Sequence, residues 1–316
     1  MKIALLAYLA TYGNAPLLAR ALAARGYAVS LIVARRDAYG FWREYPGLLL
    51  EDGRPVRQAA RAALDAADRL VCLALPGLTA VLPAVVPDRT EARRILERGG
   101  LAILSSSHLL RDPGAACRCL AESGLRIAAM NDKLPYLPAG TPVYWPPIAL
   151  PPEADRPAAG PVRIAHTPGK SSRHGWKGTA GIEAVFPRLR ERFGSAIETQ
   201  IVRGLDHGEM LARRAGADIL VDQVLEPVPV AGSYPPYAGG IGKNGLEAAA
   251  AGTVVVASGA VPPPLVRTDP DRLFDVLAAL IEDPDGRRTL GRVGRAFVAK
   301  HCDPAMVAQL VEGLLP

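Results

Sequence analysis

Short apolar runs alternate along the chain with stretches in which apolar residues recur every three or four positions. Ile3–Leu9, Tyr27–Val33, Leu70–Leu75, Leu101–Ser105 and Leu125–Met130 are apolar almost throughout and of strand length. Between them, Ala15–Arg25, Val56–Ala67, Thr90–Arg98 and Gly114–Ser123 show the spacing of amphipathic helices. Strands without a polar face are buried on both sides, so the pattern predicts a parallel sheet covered by helices on either face.

From Leu137 to Pro161 the alternation stops and eight prolines appear, a composition that continues neither a helix nor a sheet interior. It then restarts. Val162–His166, Glu198–Val202, Ile219–Val221 and Thr253–Ala257 read as strands. Thr179–Arg192, His207–Ala215, Asn244–Ala251, Pro270–Glu282, Asp285–His301 and Pro304–Leu314 read as helices. The expected architecture is therefore α/β, with two Rossmann-like domains over residues 1–145 and 146–316. The last helix is able to pack back on the first domain, and a ligand cleft is expected between the halves, outside the carboxyl ends of both sets of strands.

Composition sharpens this picture. Of 316 residues 49% are hydrophobic and 22% charged, enough apolar chain for two cores. The net charge of +6 favours an anionic partner, whether nucleic acid, membrane surface or phosphate-bearing metabolite. Aromatic residues make up 5% and no basic stripe is interleaved with them, which argues against nucleic acid. Cys72, Cys117, Cys119 and Cys302 form no C-x-x-C pair, as in a reduced cytoplasmic protein without structural zinc. The apolar start Ile3–Ala7 is followed too soon by Thr11, Tyr12 and Asn14 for a signal peptide and reads as a first strand. The uncharged run Leu70–Pro87 is broken by Pro76, Gly77 and Pro83 and reads as a buried strand plus loop. Lining of an acceptor groove and peripheral contact with the inner face of a membrane stay open for it.

Several common motifs are missing. Tyr8–Asn14, after the first strand, lacks G-x-G-x-x-G, which disfavours a nicotinamide dehydrogenase. Gly169-Lys170-Ser171 and Gly242-Lys243-Asn244 resemble the end of a P-loop, but Ile164 and Tyr237 stand where that loop needs glycine. Asp269-Pro270-Asp271 and Asp283-Pro284-Asp285 each open a helix, where Asp is a natural cap and Pro a natural first residue, so no metal site is read there.

Two segments carry candidate chemistry. Arg163–Thr179 is a strand, a cationic glycine-containing loop and a helix start, which offers backbone N–H groups, a positive helix end and mobile cations to a diphosphate. In Ala238–Ala257, glycines precede a helix in which Glu247 is the one charged residue after Lys243. A carboxylate so placed suits a ribose diol, which donates two hydrogen bonds.

These stretches resemble the family 4 (group 1) glycosyltransferases of the GT-B fold. Glu247–Val255 is similar to their E-A-x-A-x-G-x-P-V-V stretch, and Ile164–Pro168 with Lys177-Gly178-Thr179 to their H-x-P…K-G-T start. Ala217–Gln223 is similar to their A-D-I-V-V-D-Q strand, and Asp283–Arg295 to their closing D-P…L-G-x-x-G-R helices. The resemblance covers about residues 137–314, and one departure stands out: the position eight residues before Glu247, a glutamate in the family, is Gly239.

The resemblance implies transfer of a sugar from a nucleotide diphosphate sugar, UDP- or GDP-linked, to a hydroxyl of a glycan, lipid or small-molecule acceptor. Retention, metal independence and no further cofactor are implied with it. It assigns Lys177 to the diphosphate and Glu247 to the ribose. Lys170, Arg173 and Lys243 are further cations for the donor, Arg203 stands where the base docks, and Gly240, Ile241 and Gly242 supply backbone contacts in place of the missing glutamate. His166 and Thr167 end a strand on the donor side, and Gly13 and Asn14 approach the diphosphate from the first domain. His108 matches a sugar-contacting histidine and, with Lys177, forms the catalytic pair. A nucleotide-sugar-binding protein without catalysis and a nucleotide-sugar epimerase remain the alternatives.

Overall fold

The computed structural model describes residues 1–9, 14–36, 47–105, 112–152, 160–168 and 177–316. Gly13, His108, Lys170 and Arg173 lie outside the described residues.

The first unit comprises Met1–Pro147, Val230–Pro235 and Cys302–Pro316. Its strands are β1 (Lys2–Leu9), β2 (Ala28–Arg35), β3 (Leu48–Leu49), β4 (Arg69–Leu73), β5 (Gly100–Leu104) and β6 (Arg126–Ala129). They form one parallel sheet in the order β3-β2-β1-β4-β5-β6, the doubly wound arrangement that reverses direction between β1 and β4. The connecting helices are α1 (Ala15–Ala24), α2 (Arg54–Ala66), α3 (Leu82–Val85), α4 (Arg89–Glu97) and α5 (Pro113–Ser123). Asp88 and Asp112 cap α4 and α5 by accepting from Glu91 N and Ala115 N.

The Leu70–Pro87 run departs from a strand plus loop. After β4 the chain makes a π-helical turn, Gly77–Val81, that runs straight into α3. Leu78, Val81, Leu82, Val85 and Val86 are all buried, so these side chains do not form a lipid-facing patch. No helix among the described residues is long and apolar enough to cross a membrane.

The second unit comprises Ile148–Pro229 and Pro236–His301. Its strands β7 (Val162–His166), β8 (Ile197–Ile201), β9 (Ile219–Val221), β10 (Val254–Ala257) and β11 (Val266–Arg267) pair in parallel in the order β11-β10-β9-β7-β8. Here the strand order reverses between β7 and β9. Helices α6 (Thr179–Phe193), α7 (His207–Ala215), α8 (Lys243–Ala250), α9 (Leu273–Glu282) and α10 (Pro284–His301) cover it. Ile164, Ile219, Val221, Val254 and Val256 from the sheet pack with Ile182, Phe186, Leu189 and Leu277 from α6 and α9 as one core.

The final helix, α11 (Pro304–Leu314), belongs to the first unit. Its Val307, Ala308 and Val311 join the core built from β1, β2 and α1. Glu312 accepts from Tyr27 Oη at 2.5 Å and from Arg25 Nε at 2.9 Å.

Candidate functional site

In parallel sheets, ligands settle beyond the carboxyl ends of strands where the strand order reverses, because the loops diverge there. In the second unit those ends belong to β7 and β9. His166 ends β7, Thr167 directly follows it, and Asp222 directly follows β9.

His166 faces inward. It is fully buried, with Nδ1 2.8 Å from Val221 O and Nε2 2.9 Å from Thr179 Oγ1. Burial lowers its pKa to about 4, against the opposing pull of the Val221 carbonyl. The ring is therefore neutral at physiological pH, with Nδ1–H donating to Val221 and Nε2 accepting from the Thr179 hydroxyl. It joins the ends of β7 and β9 to the start of α6, and both its ring nitrogens are occupied within the protein.

Thr167 is buried beside it, and its Oγ1 makes no hydrogen bond among the described residues. Its carbonyl accepts from Asn244 Nδ2 at 3.2 Å, which attaches the end of β7 to the first turn of α8.

Lys177 precedes α6. Its Nζ is ion-paired with Asp222 Oδ1, while Asp222 Oδ2 accepts from Gly242 N, the N-cap of α8, at 2.7 Å. The chain turns from Lys177 into α6 through Gly178 at φ 65°, where any Cβ would run into Val224 O. Thr167 and Lys177, from one candidate stretch of sequence, and Gly242, from the other, thus come together around the amino end of α8. That end carries the partial positive charge of the helix dipole.

One turn further along α8, Glu247 lies in a buried charge cluster. Oε1 meets His207 Nε2 at 2.8 Å and Lys243 Nζ at 3.4 Å, and Oε2 is paired with Arg214. Arg214 Nη2 also donates to Asn244 Oδ1 at 2.9 Å, which continues the network to Thr167. Burial pushes the Glu247 carboxyl up, but Lys243, His207 and Arg214 together hold it below the ordinary glutamate value. Both carboxylate oxygens, expected to meet a ribose, thus already have partners in the protein.

Between β9 and α8, Gly240 forms a parallel bridge with Ala260, Gly240 and Ile241 are buried, and Gly242 N donates to Asp222. At Gly239, φ is 100°, and a Cβ would come within 2.7 Å of Ser258 Oγ. A glutamate at this position, as in the resembled family, would be strained in backbone and crowded by Ser258. Arg203 is not in the cluster; it pairs with Glu183 at 2.6 Å on an exposed surface. In the first unit, Asn14 is buried at φ 52°, and its side-chain amide donates to Pro147 O. Among the described residues no group of His, Cys, Asp or Glu is placed to hold a metal ion.

Asp222, His207, Arg214 and Asn244 were not nominated from the sequence. Asp222 carried a usable signal, since it is an acid placed immediately after an apolar strand of a parallel sheet. His207 and Arg214 carried none, because their partner lies 40 and 33 residues away.

No protein-family model matches the chain, and no curated protein does. Solved structures do. HepE of Anabaena, crystallised with UDP-glucose, superposes with a TM-score of 0.66 at 14% identity, covering 99% of this chain and 98% of that one. Sucrose-phosphate synthase of Thermosynechococcus elongatus gives 0.53 at 16%, covering 99% and 98%. The UDP-GlcNAc 2-epimerase of Neisseria meningitidis, bound to UDP-GlcNAc, gives 0.57 at 10%, covering 99% of both chains. The chain has the GT-B fold. As a GT-B protein it shares its architecture with the glycosyltransferase SnogD of Streptomyces nogalater as well as with an epimerase, so the fold alone does not set its chemistry.

Proposed function

We propose that the chain is a glycosyltransferase that takes a sugar from a nucleoside diphosphate sugar, UDP- or GDP-linked, and places it on an acceptor hydroxyl. The observation that carries this reading is the meeting of Lys177 and the amino end of α8 at Asp222, with Thr167, whose buried hydroxyl has no partner among the described residues, tied to the same helix through Asn244. An ammonium, helix N–H groups and a hydroxyl donor are the groups a diphosphate recruits. The crystallised complexes of HepE with UDP-glucose and of the epimerase with UDP-GlcNAc support the ligand class.

The chemistry follows from charge. Breaking the bond from the sugar to the phosphate leaves a diphosphate whose terminal oxygen gains negative charge. Lys177 and the α8 dipole oppose that charge as it develops, without a metal. The departing oxygen takes the proton of the acceptor hydroxyl on the same face of the sugar, with retention of configuration. In this reading the Glu247 ribose contact forms by exchange, the diol replacing His207 at Oε1. A nucleotide complex in which the Glu247–His207 bond is intact removes that role.

Gly239 favours a second reading, a nucleotide-sugar-binding protein without catalysis, because the glutamate absent there contacts the donor sugar in the resembled family. One assay separates the readings: incubation with UDP- and GDP-sugars and candidate acceptors, with the freed diphosphate and the sugar product analysed. Freed diphosphate with a new glycoside supports transfer. An altered sugar still linked to nucleotide supports epimerisation, and binding with neither product supports the second reading.

A further inference from the structure

We propose that Asp222 is the positioning residue of this site, fixing the Lys177 ammonium against the amino end of α8 so that both act on one anionic group. The inference rests on the reading that Lys177 and α8 receive a diphosphate, and it adds the residue that sets their geometry.

A carboxylate with no solvent exposure is costly unless each oxygen has a donor. Asp222 has no exposure, and its oxygens are divided between Lys177 Nζ on one side and Gly242 N on the other. The donors come from different elements, the approach to α6 and the cap of α8, so the acid sets the spacing between them. Its own backbone is held by Asp222 N donating to Val256 O at 2.9 Å.

The helix is shaped around this acid. A Cβ at Gly242 would lie 3.2 Å from Asp222 Oδ2 and 3.3 Å from Lys177 Nζ, and one at Gly245 would lie 3.0 Å from Oδ2. Glycines at the cap and in the first turn of α8 thus keep clear the space that the carboxylate fills.

Exposure distinguishes the roles of the pair. The Lys177 side chain is 19% exposed and Asp222 is 0% exposed, so the cation faces outward and the acid stands behind it. An ammonium has three N–H donors, and the bond to Asp222 uses one. Asp222 therefore acts through Lys177 and touches no ligand. The flexible four-carbon lysine stem is ordered before the ligand arrives, which is what preorganisation means in an anion site.

The test uses the full chain and whichever of UDP, GDP, ADP and TDP raises its melting temperature most, with the matching nucleoside as control. Affinities for both are measured by titration calorimetry in the wild type, Asp222→Asn, Lys177→Ala and the double variant. The expected result is a loss of tenfold or more in the preference for diphosphate over nucleoside in each single variant, with the double variant no worse than Lys177→Ala. A purely structural acid would weaken diphosphate and nucleoside alike.

Folded Asp222→Asn with the preference unchanged or increased overturns the proposal. Should Asp222→Asn fail to fold, Gly242→Ala serves instead, since its methyl group crowds the carboxylate while keeping every charge. An unchanged preference there overturns the proposal equally. Lys177→Ala with an unchanged preference, or no binding by any of the four diphosphates, refutes the underlying diphosphate reading itself.

Discussion

At the end of β7 the fold keeps an imidazole neutral, and this has a consequence for stability. His166 titrates near 4 in the native protein, below the ordinary imidazole value, because it is buried. The unfolded chain takes up the proton first as pH falls, so the stabilisation is complete above about pH 6.5 and declines toward pH 4. The displacement to about 4 corresponds to roughly 3 kcal/mol. His166→Gln should flatten this part of the stability–pH curve, measured by denaturant unfolding at pH 7.5 and pH 4.5. Equal slopes in variant and wild type would contradict the assignment. Lys177 gives the functional counterpart: Lys177→Ala should weaken a nucleoside diphosphate by about 1.5–3 kcal/mol, the usual range for a charged hydrogen bond, and leave the nucleoside nearly unchanged. Calorimetric titration of both ligands checks it. Residue types at strand ends were legible in the sequence, but the side of the strand that each occupies was not. His166 and Asp222 both lie at carboxyl ends, and only packing turns the one inward and sets the other behind a lysine.

The amino end of α8 is where element and chemistry meet. The turn before it holds Gly239 at φ 100° against Ser258, a conformation that an L side chain adopts only with strain. Gly239→Ala should therefore destabilise the protein by about 1–3 kcal/mol, seen as a lower urea midpoint. An unchanged midpoint would mean that the turn relaxes freely. The long apolar strands and the amphipathic helices were readable from periodicity, because their burial repeats over several residues. Leu48–Leu49 and Val266–Arg267 were not, since two residues cannot show a period. The π-helical turn Gly77–Val81 was hidden for a different reason: an uncharged run with Thr79 as its one hydroxyl residue carries too little phase to distinguish helix from loop.

On the scale of the whole molecule, the chain returns to its first unit at the end. Val307, Val311 and Leu315 are buried in that unit's core, and each is worth about 1.5–3 kcal/mol of burial. A chain ending at His301 should therefore lose about 5 kcal/mol or more from the first unit, read as an early unfolding step in calorimetry. A single transition at the wild-type temperature would show α11 to be dispensable. The two α/β halves were legible because the proline-rich stretch interrupts the alternation, whereas the segment Val230–Pro235, which joins the first unit, has no such mark. Ligand binding to the native state raises its melting temperature, so a thermal screen of UDP, GDP, ADP and TDP selects the nucleotide. The central claim, a diphosphate held between Lys177 and the amino end of α8, is tested most directly by a crystal structure with that nucleotide. Phosphate oxygens are expected within about 3.2 Å of Lys177 Nζ and of Thr167 Oγ1. A nucleotide bound elsewhere, with Lys177 and Thr167 untouched, would contradict it.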